Sequence, residues 1–97
     1  MMKLVIITFH FEYTDIIEAM LERLGVVDYT RFPMLEGRDS DGKHFGTQVF
    51  PGNSSVVHAQ VPEQLLDKLF DQLTRFRESK PAHHHLQAMV VPIERLL

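Results

Sequence analysis

The chain has 97 residues, of which 44% are hydrophobic, and a formal net charge of -3. That is enough apolar sequence for one small globular domain over residues 1–97, and it argues against intrinsic disorder. A mildly acidic chain with no basic run lacks the electrostatic footprint of a nucleic-acid binder, and a sequence without cysteine excludes disulfides and thiolate metal sites.

The opening Met1-Met2-Lys3-Leu4-Val5-Ile6-Ile7-Thr8-Phe9 is too short for a membrane span. His10, Glu12 and Asp15 follow it with no small-residue cleavage site, so it reads as a strand in a soluble, cytoplasmic protein. Over residues 4–11 apolar side chains occupy both alternating faces, Leu4 and Ile6 on one, Val5, Ile7, Phe9 and Phe11 on the other. Such a strand is central, with both faces covered. Thr14 is placed to cap a helix whose stripe is Ile16, Ile17, Met20, Leu21 and Leu24, and Gly25 ends it. Asp15 and Glu18 suit its positive end. Residues 26–35 read as a second strand, put at a sheet edge by Pro33.

A polar excursion over 36–55 separates this half from a second one and reads as a displayed loop. Gly37 to Lys43 meets the first seven positions of a phosphate-binding Walker loop, but His44 replaces the magnesium-binding hydroxyl and no helix follows. Pro51-Gly52-Asn53 supplies a second turn. Residues 54–61 form a third strand, in which Val57, Ala59 and Val61 alternate with Val56, His58 and Gln60. Pro62 opens a second helix with the stripe Leu65, Leu66, Leu69, Phe70, Leu73 and Phe76, which Pro81 stops. The last strand is 86–91.

The two helix stripes correspond at an offset of about 49 residues, the kind of self-similarity that reveals a duplicated unit. The order β-α-β, β-α-β then predicts a ferredoxin-like α+β sandwich, a four-stranded antiparallel sheet with both helices on one face. Leu4, Ile6, Val56 and either Leu86, Ala88 and Val90 or their alternates would line the other face, and self-association would cover it.

This topology brings three polar segments to one edge: His10 at the end of the first strand, Arg38, Lys43 and His44 in the loop, and Lys80, His83, His84 and His85 in the last helix-to-strand turn. Two chemistries suit that edge. Arg38, Lys43, Lys80 and the three consecutive histidines form an anion site, while His10, His44, His83, His84 and His85 are candidate ligands for a divalent metal. Metal ligation needs neutral imidazoles and weakens in acid; anion binding gains from their protonation. A run of histidines in a turn also serves simply to cap carbonyls at a helix end. His58 and Gln60 read more readily as polar groups at a subunit interface than as a ligand channel. Ser40, Ser54 and Ser55 lack a base or an elbow motif, so the chain does not read as an enzyme.

Val61-Pro62-Glu63-Gln64-Leu65-Leu66-Asp67-Lys68-Leu69 and Val90-Val91-Pro92-Ile93-Glu94-Arg95 closely resemble the P-II and P-II-like signalling proteins, including the nitrogen regulatory proteins. Gly37-Arg38 and Gly42-Lys43-His44 look like fragments of that family's T-loop. The resemblance covers nearly the whole chain in order and spacing. It implies a trimeric regulator whose T-loop reaches a partner protein, often a membrane transporter or an enzyme, and whose clefts between subunits bind adenine nucleotides or other small effectors. Departures mark a divergent member. The T-loop tyrosine is absent, Gly-Arg-Gln becomes Gly37-Arg38-Asp39, and the glycine-rich phosphate turn is replaced by Glu78-Ser79-Lys80-Pro81-Ala82-His83-His84-His85. Losing those glycines removes close-approach backbone donors for phosphate. The metal-linked CutA proteins share the fold and provide the alternative; amino-acid-sensing ACT domains share it more remotely.

Overall fold

The computed structural model describes residues 1–39, 42–44 and 53–97, with side chains described at 1–38 and 53–97. Ser40, Asp41 and the Pro51-Gly52 turn therefore lie outside the described residues, as do the side chains of Lys43 and His44. Eight elements follow in order: β1 (Met2–His10), α1 (Thr14–Arg23), β2 (Tyr29–Leu35), β3 (Gly37–Asp39), β4 (Gly42–His44), β5 (Ser54–Pro62), α2 (Leu66–Ser79) and β6 (Gln87–Pro92). The main sheet is antiparallel with strand order β2-β5-β1-β6, and β3 pairs with β4 in a separate two-stranded sheet. This is the ferredoxin-like sandwich that the periodicity predicts, with β2 at an edge as Pro33 requires.

The core is one face of the sheet against both helices. Val5, Ile7 and Phe9 of β1 and Val57, Ala59 and Val61 of β5 alternate inward and meet Ile17, Met20 and Leu21 of α1 and Leu69 and Leu73 of α2. Each fully buried large side chain stabilises the fold by roughly 1.5–3 kcal/mol relative to exposure. Ile16, expected in the stripe, is 49% exposed, because Ile17 and Leu21 already span the contact one turn apart. Gly25 ends α1 as expected. Its positive φ of 87° turns the chain so that Val26 N–H donates to the Leu21 carbonyl at 2.9 Å, and Val26 enters the core instead of starting β2.

The duplication is real, but its register differs from the one that the stripes suggest. From Met2 to Ser54, from Phe11 to Glu63 and from Thr14 to Leu66, equivalent elements begin 52 residues apart. The β1–β5 pairing places Ile6 opposite His58, a pair this offset maps onto itself, so the pseudo-twofold axis runs between them. Main-chain bonds repeat the symmetry: Phe11 N–H donates to the Asn53 carbonyl at 3.0 Å and Glu63 N–H to the Met1 carbonyl at 2.9 Å.

Both halves pass from strand to helix through a 3-10 turn, Phe11–Tyr13 and Glu63–Leu65. Two sequence expectations change as a result. Thr14 does not cap α1; its hydroxyl donates to the Phe11 carbonyl at 2.7 Å and meets the buried Ser55 hydroxyl at 3.2 Å. Pro62 closes β5 instead of opening α2.

Among the described residues no helix lies over the second face of the sheet. That face carries Leu4, Ile6 and Thr8 of β1, Val56, His58 and Gln60 of β5, Phe32 of β2, and Met89 and Val91 of β6, which the register sets opposite Ile6 and Leu4. The β6 members are thus the alternates, Met89 and Val91, while Leu86 is buried and Ala88 packs on the core.

Candidate functional site

A cleft of about 170 Å³ opens where β1 ends and β5 begins. Three segments build it, as the topology predicts: Thr8, Phe9 and His10 from β1, Leu35 to Arg38 from the end of β2 and the start of β3, and His85 and Gln87 from the link into β6, with Asn53, Ser54 and Val56 between them. His10, Arg38 and His85, far apart in sequence, therefore line one cavity.

Each is held there by local chemistry. His10 ends β1 and caps the following 3-10 turn, its Nδ1 accepting the Glu12 backbone N–H at 3.3 Å, and its ring lies 4.9 Å from Phe11 and 5.9 Å from Tyr13. An accepting Nδ1 puts the proton of the neutral ring on Nε2, which becomes the donor nitrogen. Arg38 sits in the short β3–β4 hairpin, opposite Lys43 in the register, and has no carboxylate partner among the described residues. Sequence reading sees no strands here, because three polar residues on each side offer no apolar alternation. Met34, just before, has a φ of 58°, unusual for a side chain of its size, where the β2–β5 register shifts between Phe32 and Leu35. That bulge turns the chain from the sheet toward the hairpin.

The histidine run divides. His83 is buried, its ring stacked on Phe76 at 3.9 Å and edge-on to Tyr13 at 4.6 Å. Its Nδ1 lies 2.7 Å from the Phe76 carbonyl and 3.1 Å from the Ser79 hydroxyl; a carbonyl only accepts, so Nδ1 carries the proton and caps the end of α2. His84 Nδ1 likewise donates to the Pro81 carbonyl. Only His85, whose ring is 4.0 Å from that of His84, lines the cleft. Lys80 terminates α2 and its carbonyl accepts the His83 N–H at 3.0 Å; it does not line the cleft. Among the described residues no three His, Asp or Glu side chains lie close enough together to hold a metal ion.

Sequence reading singles out Asn53 only as a turn residue. Its Oδ1 is buried in the cleft wall without a hydrogen-bond partner among the described residues. Glu12 and Asp15 belong to a different hollow, beside Arg31 and Met34. There Arg31 makes a two-pronged bond to the buried Glu18, Nε to Oε2 at 2.5 Å and the second nitrogen to Oε1 at 2.8 Å. This bond, with the Glu18 charge behind it, raises the Arg31 pKa further above its ordinary value.

Glu36 and Arg38 bring one charge of each sign to the described lining of the cleft, beside the two imidazoles of His10 and His85. The cleft is smaller than the roughly 300–1,000 Å³ usual for sites that bury a drug-sized ligand. It has room for one anionic group, not for a whole nucleotide.

No family model and no curated protein sequence matches the chain. Solved structures do. CPII of Thiomonas intermedia K12, a nitrogen regulatory PII-like protein bound to ADP, AMP and bicarbonate, is 25% identical, with a TM-score of 0.79 over 95% of this chain and 91% of its own. A candidate PII-like signalling protein of Thermus thermophilus is 20% identical, with a TM-score of 0.67 over 92% of this chain and 83% of its own. A DUF3240 family protein of Shewanella baltica is 14% identical, with a TM-score of 0.75 over 98% of this chain and 92% of its own. In fold the chain is similar to these proteins, two of them described as PII-like, at 25% identity or less. No helix among the described residues is long and apolar enough to cross a membrane.

Proposed function

We propose that this divergent P-II-like chain is a cytoplasmic regulatory protein, not an enzyme, that senses a small anionic effector and signals through the 36–55 segment to a partner protein. The observation that carries the reading is the convergence of His10, Arg38 and His85 on one cleft at the base of that segment. Arg38 is the fixed charge. Its planar fork suits a carboxylate, bicarbonate or phosphate oxygen pair. His10 offers Nε2–H, His85 lines the same cleft, and Lys43, opposite Arg38 in the hairpin register, is a further cation for the bound state. Lys80, His83 and His84 take part through the turn that carries His85, which the two histidine caps hold in shape.

The ligand of CPII supports this chemistry, since bicarbonate and the phosphates of ADP and AMP are all anions that a guanidinium recognises. A nucleotide needs more wall than one chain provides, and a homotrimer assembled through the uncovered sheet face supplies neighbouring copies for it. Occupancy of the cleft then acts on the hairpin that begins at Gly37, because the same residues line the one and form the other. The transport or metabolic partner reads that hairpin and the residues beyond it.

Isothermal titration with bicarbonate, phosphate and ADP tests the reading. Arg38→Ala should lower anion affinity by about tenfold, the loss of one charge-assisted pair, and Arg38→Lys should restore part of it. His85→Ala should weaken binding by less than Arg38→Ala does, since it removes a polar lining group and not the fixed charge. Unchanged affinity in Arg38→Ala would overturn the assignment. A divalent metal that binds tightly and is lost in His84→Ala would move the site to the metal-binding alternative.

A further inference from the structure

The two imidazoles of the cleft are joined through a ring that does not line it. Tyr13, the last residue of the 3-10 turn between β1 and α1, faces His10 at 5.9 Å and also meets His83 edge-on at 4.6 Å and Phe76 at 5.4 Å. His83 belongs to the same turn as His85. Its ring stacks on Phe76 at 3.9 Å, its carbonyl accepts the Leu86 N–H at 3.1 Å, and between the two residues the His84 ring lies 4.0 Å from that of His85. Ring contacts therefore run from the end of β1 to the segment that carries His85.

These contacts are directional. The positive edge of one ring sits over the negative face of another, so an aromatic pair fixes an angle as well as a distance, which an aliphatic side chain does not do. The second half of the duplication supplies the comparison. Under the 52-residue offset Tyr13 corresponds to Leu65, which closes the second 3-10 turn and packs on the same core. Leucine thus suffices where only the core has to be filled. The Tyr13 hydroxyl forms no hydrogen bond among the described residues, so the first half gains the aromatic ring and not a polar contact. Tyr13 and Phe76 pack against the helix-side core and His83 stacks there with them, which keeps the link off the sheet face that association would cover.

We propose that Tyr13 is a positioning residue of the cleft: its ring couples His10 to the capped turn that carries His85, so a group bound at one imidazole changes the placing of the other. A displaced His10 ring moves against Tyr13, and Tyr13 moves against His83. The buried His83 ring does not swing away, because doing so would give up its bond of 2.7 Å to the Phe76 carbonyl and leave a buried donor unsatisfied. The movement passes instead into the turn. Its effect on binding rests on the anion reading of the cleft; the link between the rings does not.

Ring-carbon NMR of the histidines in the full chain tests the link without a ligand. His10→Ala should shift the His85 ring signals in the wild type and in Tyr13→Phe, which keeps the ring, and should leave them in place in Tyr13→Leu. A shift of equal size in Tyr13→Leu, or none in the wild type, would overturn the proposal. Titration with inorganic phosphate reads the consequence. The affinity losses of His10→Ala and His85→Ala should be non-additive by about threefold in the wild type and should simply multiply in Tyr13→Leu, where the pair is uncoupled. Tyr13→Leu alone should weaken phosphate binding by about threefold, the order expected of one aromatic contact, and Tyr13→Phe should restore it. Leu65→Ala, a comparable loss from the core, should leave affinity unchanged; equal weakening there would reduce Tyr13 to packing and overturn its positioning role. If phosphate, bicarbonate and ADP all fail to bind the wild type, the anion reading falls and the ligand-free shifts alone decide the link.

Discussion

The two faces of the sheet are made from the same strands, and they differ in what covers them. On the helix side Val5, Ile7, Phe9, Val57, Ala59 and Val61 are at most 1% exposed. On the other side their alternates Leu4, Ile6, Thr8, Val56, His58 and Gln60 are only half-buried, and Met89 beside them is 52% exposed. Yet the uncovered face carries no Asp, Glu, Lys or Arg at these seven positions. A sheet face meant for water alternates charged and polar side chains, and this one does not. The first face therefore holds the monomer together; the second, under the proposed trimer, holds copies to one another.

The largest expected effect tests the first half of that division. Ile7→Ala removes a fully buried side chain between strand and helices and should cost about 2–5 kcal/mol in urea unfolding. Ile6→Ala, one residue away and half-exposed in the single chain, should cost about 1 kcal/mol when unfolding is followed on monomer. Equal losses would mean that the faces are equally important to the isolated fold. Ile6→Asp sharpens the second half. It puts a carboxylate on the pseudo-twofold axis, where association through this face would bury it unpaired, so light scattering should report a smaller particle while circular dichroism stays native. A particle of unchanged mass would place the interface elsewhere.

Alternation and stripes made the architecture legible, because a period of two or of 3.6 survives small errors of placement. The offset of the duplication did not survive them. Sliding one helix stripe by three residues, nearly a turn, leaves its apolar positions aligned, so Ile16 matched Leu65 as well as Ile17 matches Leu69. The strands held the missing information. A shift by an odd number puts Val5, Ile7 and Phe9 in register with Ser54, Val56 and His58, the opposite face, whereas the observed offset pairs them with Val57, Ala59 and Val61. The site was legible in part. Topology foretold that His10, Arg38 and His85 would share an edge, but it could not tell that His83 would turn inward onto Phe76, since that depends on which α2 carbonyls need a cap.

The smallest expected effect concerns β2, the strand whose two neighbouring residues serve the two faces. Tyr29 leans on the core and donates its hydroxyl to Glu22, while Thr30 belongs to the uncovered side. The bond to Glu22 raises the Tyr29 pKa above the ordinary 10.0; partial burial and the negative charges of Glu18 and Glu22 add to the shift, and Arg31 opposes it. The folded state thus holds the phenolic proton more tightly than the unfolded chain does. Its contribution is fully present below the unfolded value near 10.0, and it is lost as the pH rises through the higher folded value. Tyr29→Phe should therefore melt slightly below the wild type near neutrality, and the gap should close in alkali as the wild type loses its bond. Thr30→Val, with nothing to titrate, should run parallel to the wild type throughout. A Tyr29→Phe curve that also stays parallel from neutral pH into strong alkali would show that the bond to Glu22 adds nothing to stability, and that β2 is held by its packing and ladder alone.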